Sequence, residues 1–162
     1  MHPPRKAMRH GQIEILLLAD FPQAIPALAA WIHAEWGALE AIPQEEIEAG
    51  LRRNSGCREI PTTFVALSGG KPVGTVSLDT ADLPGFDHLG PWLASLFVEP
   101  EFRGQGLGSS LLKRAMGHAG RLGARPLWLW TLRDTAFFEK HGWEKSGKAV
   151  LSGSKVDLMV MR

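Results

Sequence analysis

One stretch constrains this chain more than any other: Leu96-Phe97-Val98-Glu99-Pro100-Glu101-Phe102-Arg103-Gly104-Gln105-Gly106-Leu107-Gly108-Ser109. It starts inside a continuous apolar run, Trp92 to Val98, the pattern of a strand covered on both faces. Glu99-Pro100-Glu101 stops that strand, and glycines alternate at 104, 106 and 108. Helical periodicity then takes over from about Gly108 to Leu122. Leu107, Leu111, Leu112, Ala115 and Ala119 form one face; Lys113, Arg114 and His118 form the other. A strand, a glycine turn and a helix N-terminus together suit an anion. The first helical N–H groups lack partners, the terminus carries about half a positive charge, and glycine lets backbone approach closely. Arg103 adds a cation at the mouth.

Three phosphate-binding patterns compete for this stretch. A dinucleotide fingerprint needs Gly-x-Gly-x-x-Gly, and after Gly104 and Gly106 the third position is Ser109. A Walker loop needs Gly-Lys-Ser/Thr, a tripeptide absent from the chain. Arg103-x-x-Gly106-x-Gly108 remains, beside the plainer reading that the glycines only let helix and strand pack closely. Composition narrows the partners. Lys plus Arg (18) nearly balances Asp plus Glu (17), which gives no general pull toward nucleic acid or anionic lipid. The lone Cys57 excludes an intramolecular disulfide and a cysteine zinc cluster, and His33, His88 and His141 show no metal-ligand spacing.

The rest of the chain reads as one domain over residues 11–162 after a basic, flexible tail over 1–10. The apolar run at 15–19 is bracketed by Glu14 and Asp20, too short for a signal peptide or a membrane span, so a cytoplasmic protein is expected. The pattern predicts a strand over 13–19 and a helix starting at Pro22 or Pro26. That helix has Ile25, Leu28, Ala29, Ile32 and Trp36 on one face. A second, surface helix follows Pro43, with Glu45 and Glu46 in its first turn and Arg52 and Arg53 in its last. Strands over 62–67 and 73–78 flank a glycine turn. Further strands are predicted over 92–98, 127–131, 143–148 and 155–161, with a short helix over 135–141. This order gives an α/β sheet with helices on both faces.

Arg103-x-x-Gly106-x-Gly108, preceded by Leu96-Phe97-Val98 and Pro100, resembles the pyrophosphate-binding motif of the GNAT family of acyl-CoA-dependent N-acetyltransferases. A second stretch, Phe137-Phe138-Glu139-Lys140-His141-Gly142-Trp143, is similar to that family's short-helix signature, in the family's order and spacing. The resemblance implies a GNAT-like, mostly antiparallel mixed sheet of about seven strands. It would be splayed between strands four and five, here Trp92–Val98 and Leu127–Thr131. It implies acetyl-CoA as cosubstrate and no metal. The pantetheine arm would pair with the backbone of Leu96, Phe97 and Val98, where one N–H could also hold an oxyanion. Arg103, Gly104, Gln105, Gly106, Leu107, Gly108 and Ser109 would cradle the pyrophosphate, with Phe137 and Phe138 beside the cofactor.

Two departures bear on catalysis. The family's usual tyrosine acid falls at Phe138, and the chain contains no Tyr. A phenyl ring donates no proton, although a thiol pKa of about 8.5 makes thiolate a tolerable leaving group. Water, or a hydroxyl of Ser95, Thr131 or Thr135, is the alternative donor. The two splayed strands also contain no carboxylate. Base candidates acting through water are therefore Glu35, at the end of the first helix, and Asp82, which with Asp79 follows the third strand. The plain reading of each is a solvated surface acid.

Direct acetyl transfer to a primary amine is the expected activity, the acceptor being a small molecule or a peptide N-terminus. A homodimer is compatible with the fold, and neither nucleic acid nor membrane is expected as a partner. A non-catalytic acyl-CoA-binding or sensing module is the alternative that Phe138 keeps open, and a structural domain whose glycine loop binds nothing is a third. Trp31 or Trp36 is a candidate wall of the acceptor pocket, while Trp128 and Trp130 read as core.

Overall fold

The computed structural model describes residues 12–55 and 58–162; the predicted tail and Cys57 lie outside them. Seven strands form one sheet in the order β1-β2-β3-β4-β5-β7-β6, with helices packed around it. β1 (Ile13–Leu17), β2 (Thr62–Ser68), β3 (Lys71–Asp79) and β4 (Trp92–Val98) pair antiparallel in sequence. β5 (Leu127–Thr131), β7 (Ser154–Met161) and β6 (Glu144–Leu151) form a second antiparallel group. The groups meet where β4 and β5 run parallel, through the one register pair Trp92↔Trp128. The expected α/β class, strand number and split sheet are all present.

Local chemistry explains where elements stop. The first strand ends at Leu17, two residues short of the predicted Ala19, because Leu18–Asp20 turns as a 3-10 helix that buries Leu18. Pro22 opens a second 3-10 turn, so α1 begins only at Ile25, with Pro26 in its first turn. α1 (Ile25–Glu40) outlasts the predicted Trp36 by a full turn before Ala41 takes a left-handed cap. α2 (Gln44–Asn54) follows Pro43 with its acids first and arginines last. Gly69 and Gly70, both at positive φ, make the tight β2–β3 turn.

α3 (Leu107–Arg121) buries Leu107, Leu111, Leu112, Ala115 and Ala119 as predicted. They pack on one sheet face with Phe64, Val76, Leu93 and Leu129, while α1 and α2 cover Val65 and Leu67 on the other. α4 (Thr135–Glu139) is shorter than predicted, since Gly142 turns the chain into β6, which begins at Glu144 and extends to Leu151.

The prediction that β4 is covered on both faces holds only for its first half. Trp92, Leu93 and Ala94 are buried, whereas Ser95 to Val98 are partly exposed. The cause is a bulge: Thr75 pairs with Phe97 and Ser77 with Ala94, so Ser95 and Leu96 oppose Val76 alone. Ser95 takes a positive φ of 57°, which bends the strand away from β5.

Candidate active site

The split in the sheet opens a cleft of about 560 Å³. β4 forms one wall through Leu93 to Leu96 and Val98, and β5 with its following turn forms the other through Leu129 to Asp134. The glycine loop lies at one end, and Trp36, Glu40 and Asp82 lie in the lining contributed by α1 and the β3–β4 connection. A cleft of this size is in the range of ligand sites.

The backbone of β4 is directed into this space. The Glu99 N–H donates to the Val73 carbonyl on β3 at 2.9 Å. Alternation along a strand then turns Phe97 toward β3, and the N–H and C=O groups of Leu96 and Val98 toward the cleft. The Val98 carbonyl accepts from Arg103 Nε at 2.7 Å, which agrees with that direction. The Arg103 guanidinium also lies 5.4 Å from the Phe97 ring centre, and Phe97 stacks on Trp31 at 5.3 Å. Arg103 is thereby held at the cleft mouth by one hydrogen bond and a cation–π contact.

At the loop, Gly104 and Gly106 have positive φ of 73° and 86°. Gly106 is the N-cap of α3, and its carbonyl accepts from Ser110 N–H at 3.0 Å. The N–H groups of Leu107, Gly108 and Ser109 precede that first helical bond and have no carbonyl within the helix. Among the described residues nothing stands within 4 Å of where a Cβ would sit on Gly104 or Gly106, so the cradle is open. Gly104, Gly106, Gly108, Ser109 and Arg103 line the cleft; Gln105 lies outside the lining and Leu107 is buried beneath it, with Gln105 Nε2 donating to the Glu101 carbonyl at 3.3 Å.

Phe137 and Phe138 also reach the cleft. Phe138 is only 7% exposed and packs edge-on against Phe137 (5.1 Å) and Trp143 (6.1 Å). It is thus both a core ring and a wall of the site. Of the hydroxyls considered as donors, Ser95 and Thr131 line the cleft and Thr135 does not. Thr131 Oγ1 accepts from Asp134 N–H at 3.1 Å.

The two predicted bases part company. Both line the cleft, but Glu35 is exposed, whereas Asp82 is partly buried beside Glu40 and Asp79. The expectation of a solvated acid therefore fails at Asp82. Burial, then Asp79, then Glu40 push its carboxyl well above the usual range, and Trp130 weakly opposes this. Glu40 is pushed up to about 7 by burial and by Asp79, and Asp79 to about 6 by burial. Among the described residues no basic side chain pairs with these three acids.

Sequence reasoning missed Glu40 and Trp130. Glu40 lay past the assumed end of α1; the apolar spacing Leu28, Ile32, Trp36, Leu39 carries the signal that the helix continues. Trp130, read as core, lines the cleft, and its indole N–H donates to the Asp82 carbonyl at 3.1 Å. Trp36 lines the cleft; Trp31 instead backs Phe97. Among the described residues no group of His, Cys, Asp or Glu is arranged to hold a metal ion, and no helix is long and apolar enough to cross a membrane.

Comparison with known proteins decides the family. Residues 25–143 match the model of the acetyltransferase (GNAT) family. The chain belongs to the GNAT family. A GNAT-family acetyltransferase from Streptococcus pneumoniae superimposes with a TM-score of 0.67 at 23% identity, over 91% of this GNAT chain and 97% of that one. RimL, a ribosomal L7/L12 α-N-protein acetyltransferase solved with coenzyme A, gives 0.65 at 18% identity, over 92% and 93%. An uncharacterised N-acetyltransferase from Methanocaldococcus jannaschii is 32% identical over 95 residues, which is 56% of this GNAT chain and 41% of that relative. The matched segment thus spans less than half of that protein.

Proposed function

We propose that this GNAT domain transfers an acetyl group from acetyl-CoA directly to a primary amine. The observation that carries the proposal is the split sheet. After the single Trp92↔Trp128 pair, the N–H and C=O groups of Leu96 and Val98 have no strand opposite them. An amide-bearing pantetheine arm supplies the missing pairing. The open cradle at Gly104 to Ser109 lies at the other end of the same wall, where a pyrophosphate would meet the N–H groups of Leu107, Gly108 and Ser109, with Arg103 beside it. RimL, with coenzyme A bound, shares this fold. The residues fit the cosubstrate.

The acids at the acceptor end suit the remaining chemistry. An alkyl amine with a pKa of about 10.4 must lose a proton first, at a cost of roughly 4–5 kcal/mol at pH 7. A carboxylate whose pKa is raised takes that proton more readily than an ordinary surface acid. Asp82 and Glu40, both in the lining, are assigned this role, directly or through water, and Glu35 is the exposed alternative. The amine nitrogen bonds to the acetyl carbon, the carbon–sulfur bond breaks, and the thiolate leaves. At Phe138 no proton can be supplied to it, so water or the hydroxyl of Ser95 or Thr131 protonates the sulfur.

Two measurements test the proposal. Calorimetry should show CoA binding, and acetyl-CoA with a panel of primary amines should release CoA at a rate that Asp82→Asn lowers about 10²-fold or more. CoA binding without release on any amine would replace the transferase with an acyl-CoA sensor. No CoA binding would remove both.

A further inference from the structure

A second cavity of about 340 Å³ adjoins the cleft. Its lining is Ile42, Ala81, Leu83, Pro84 and Leu151, together with Glu40, Asp82 and Asp87. Glu40 and Asp82 line the cleft as well, so these two acidic residues form the wall common to both spaces. The second cavity is built from three separate segments: the end of α1, the β3–β4 connection and the end of β6 at its turn into β7. The Ser152 hydroxyl ties that turn to α1 by donating to the Leu39 carbonyl.

We propose that this second cavity receives the body of the acceptor, and that the acceptor is a primary amine with an apolar alkyl or aryl body and no carboxylate. The assignment rests on the transferase reading above and narrows its acceptor. Three features carry it. Apolar side chains supply five of the eight lining residues, so a hydrocarbon body gains by leaving water there. The wall shared with the cleft carries carboxyl groups, which attract an ammonium and repel a carboxylate. Among the described residues the lining contains no Lys, Arg or His to receive an acid group; Arg103 and Arg133 belong to the lining of the main cleft alone. Trp36 and Trp130 also line the cleft, and aromatic rings there offer a further partner for a cation.

Glu40 and Asp82 line both cavities, Asp79 interacts with both of them from outside the linings, and the exposed Glu35 and Asp87 line one cavity each. Burial pushes the carboxyls of Glu40, Asp79 and Asp82 up, Glu40 to about 7 and Asp79 to about 6, and an arriving cation favours their ionised forms. Binding therefore readies the same carboxyls that must later take the proton.

The test compares phenethylamine, phenylalanine and ethylamine: one body with and without a carboxylate, and an amine without a body. Calorimetry on the CoA-saturated protein should rank phenethylamine at least tenfold tighter than either of the others. Ala81→Trp places a ring in the second cavity from an exposed position, with melting confirming the fold. It should lower kcat/KM for phenethylamine at least tenfold more than for ethylamine. Phenylalanine binding as tightly as phenethylamine, no phenethylamine binding, or an unchanged phenethylamine-to-ethylamine ratio in Ala81→Trp would each overturn the assignment. CoA release that ignores the amine's body leaves the transferase standing and overturns the cavity. No release with the calorimetric order intact overturns the transferase and keeps the cavity.

Discussion

Replacing Asp79 with Asn measures how far burial strains the acid cluster. Asp79 ends β3 opposite Trp92, and burial lifts its carboxyl from 3.8 to about 6. The charged groups it interacts with are Glu40 and Asp82; Glu35, Asp87, Arg103 and Arg133 line the neighbouring cavities. A rise of about two pKa units corresponds to about 3 kcal/mol, at about 1.36 kcal/mol each. Because Asp79 retains some contact with water, that figure is a ceiling. The sign follows from proton binding. Between the unfolded value and about 6, the folded chain holds more protons than the unfolded chain, so stability falls as pH rises through that window and stays lower above it. Asn has no proton to lose. Relative to the native protein, Asp79→Asn should therefore gain up to about 3 kcal/mol on going from about pH 4 to about pH 7.5. Relief at Glu40 and Asp82, which Asp79 also pushes up, acts in the same direction. Urea unfolding of both proteins at the two pH values gives the difference. A stability difference that does not change with pH would refute the buried-acid account.

The remaining predictions concern the cofactor wall. Gly106→Ala should cost about 1–2 kcal/mol of stability, because φ there is 86°, and should weaken CoA binding about tenfold or more; unchanged affinity by calorimetry would refute the cradle. Val98→Pro removes an N–H on the unpaired side of β4 while leaving those that face β3, so CoA binding should be lost from a folded protein. Retained affinity in that variant would show that no ligand pairs along the strand. Phe138→Tyr should raise kcat up to about 10²-fold with little change in acetyl-CoA KM, since a proton donor at the sulfur acts only in the transition state. A lower melting temperature without a rate gain would place the new hydroxyl in the core, where an unpaired one costs about 1–3 kcal/mol.

Local patterns made much of the fold legible. The α3 stripe, the Gly69-Gly70 turn and the strand–loop–helix unit from Trp92 to Arg121 depend on contacts close in sequence, and each was readable. The family resemblance supplied the sheet split, which no periodicity shows. The Ser95 bulge was hidden because Ser95 carries no glycine or proline signal; its positive φ is imposed by pairing with β3. The acid cluster was only half visible. Asp79 and Asp82 are near neighbours, but Glu40 joins them through tertiary packing of α1 against the β3–β4 connection, and burial cannot be read from a charged letter. Trp130 packs against the core as read, but its place in the cleft was hidden for a related reason: alternation told which side of β5 it takes, not that the neighbouring strand turns away on that side.

That turning away links stability to binding. At the closed end, Trp128 N–H donates to the Pro91 carbonyl at 2.9 Å and Trp92 is fully buried, so the two halves of the sheet are firmly joined. Beyond the bulge, the sheet gives up its ladder where a central strand normally keeps one, and polar backbone is left to water. Arg103 reclaims one of those groups, the Val98 carbonyl. The remainder of the unpaired edge is an internal strand position without a strand. A ligand that supplies amide donors and acceptors along Leu96 and Val98 completes the sheet and binds only the folded chain. It should therefore stabilise the protein by about 2.7 kcal/mol at a concentration one hundred times its dissociation constant. The opening that lowers the sheet's own cohesion is the same opening that the proposed cosubstrate would fill.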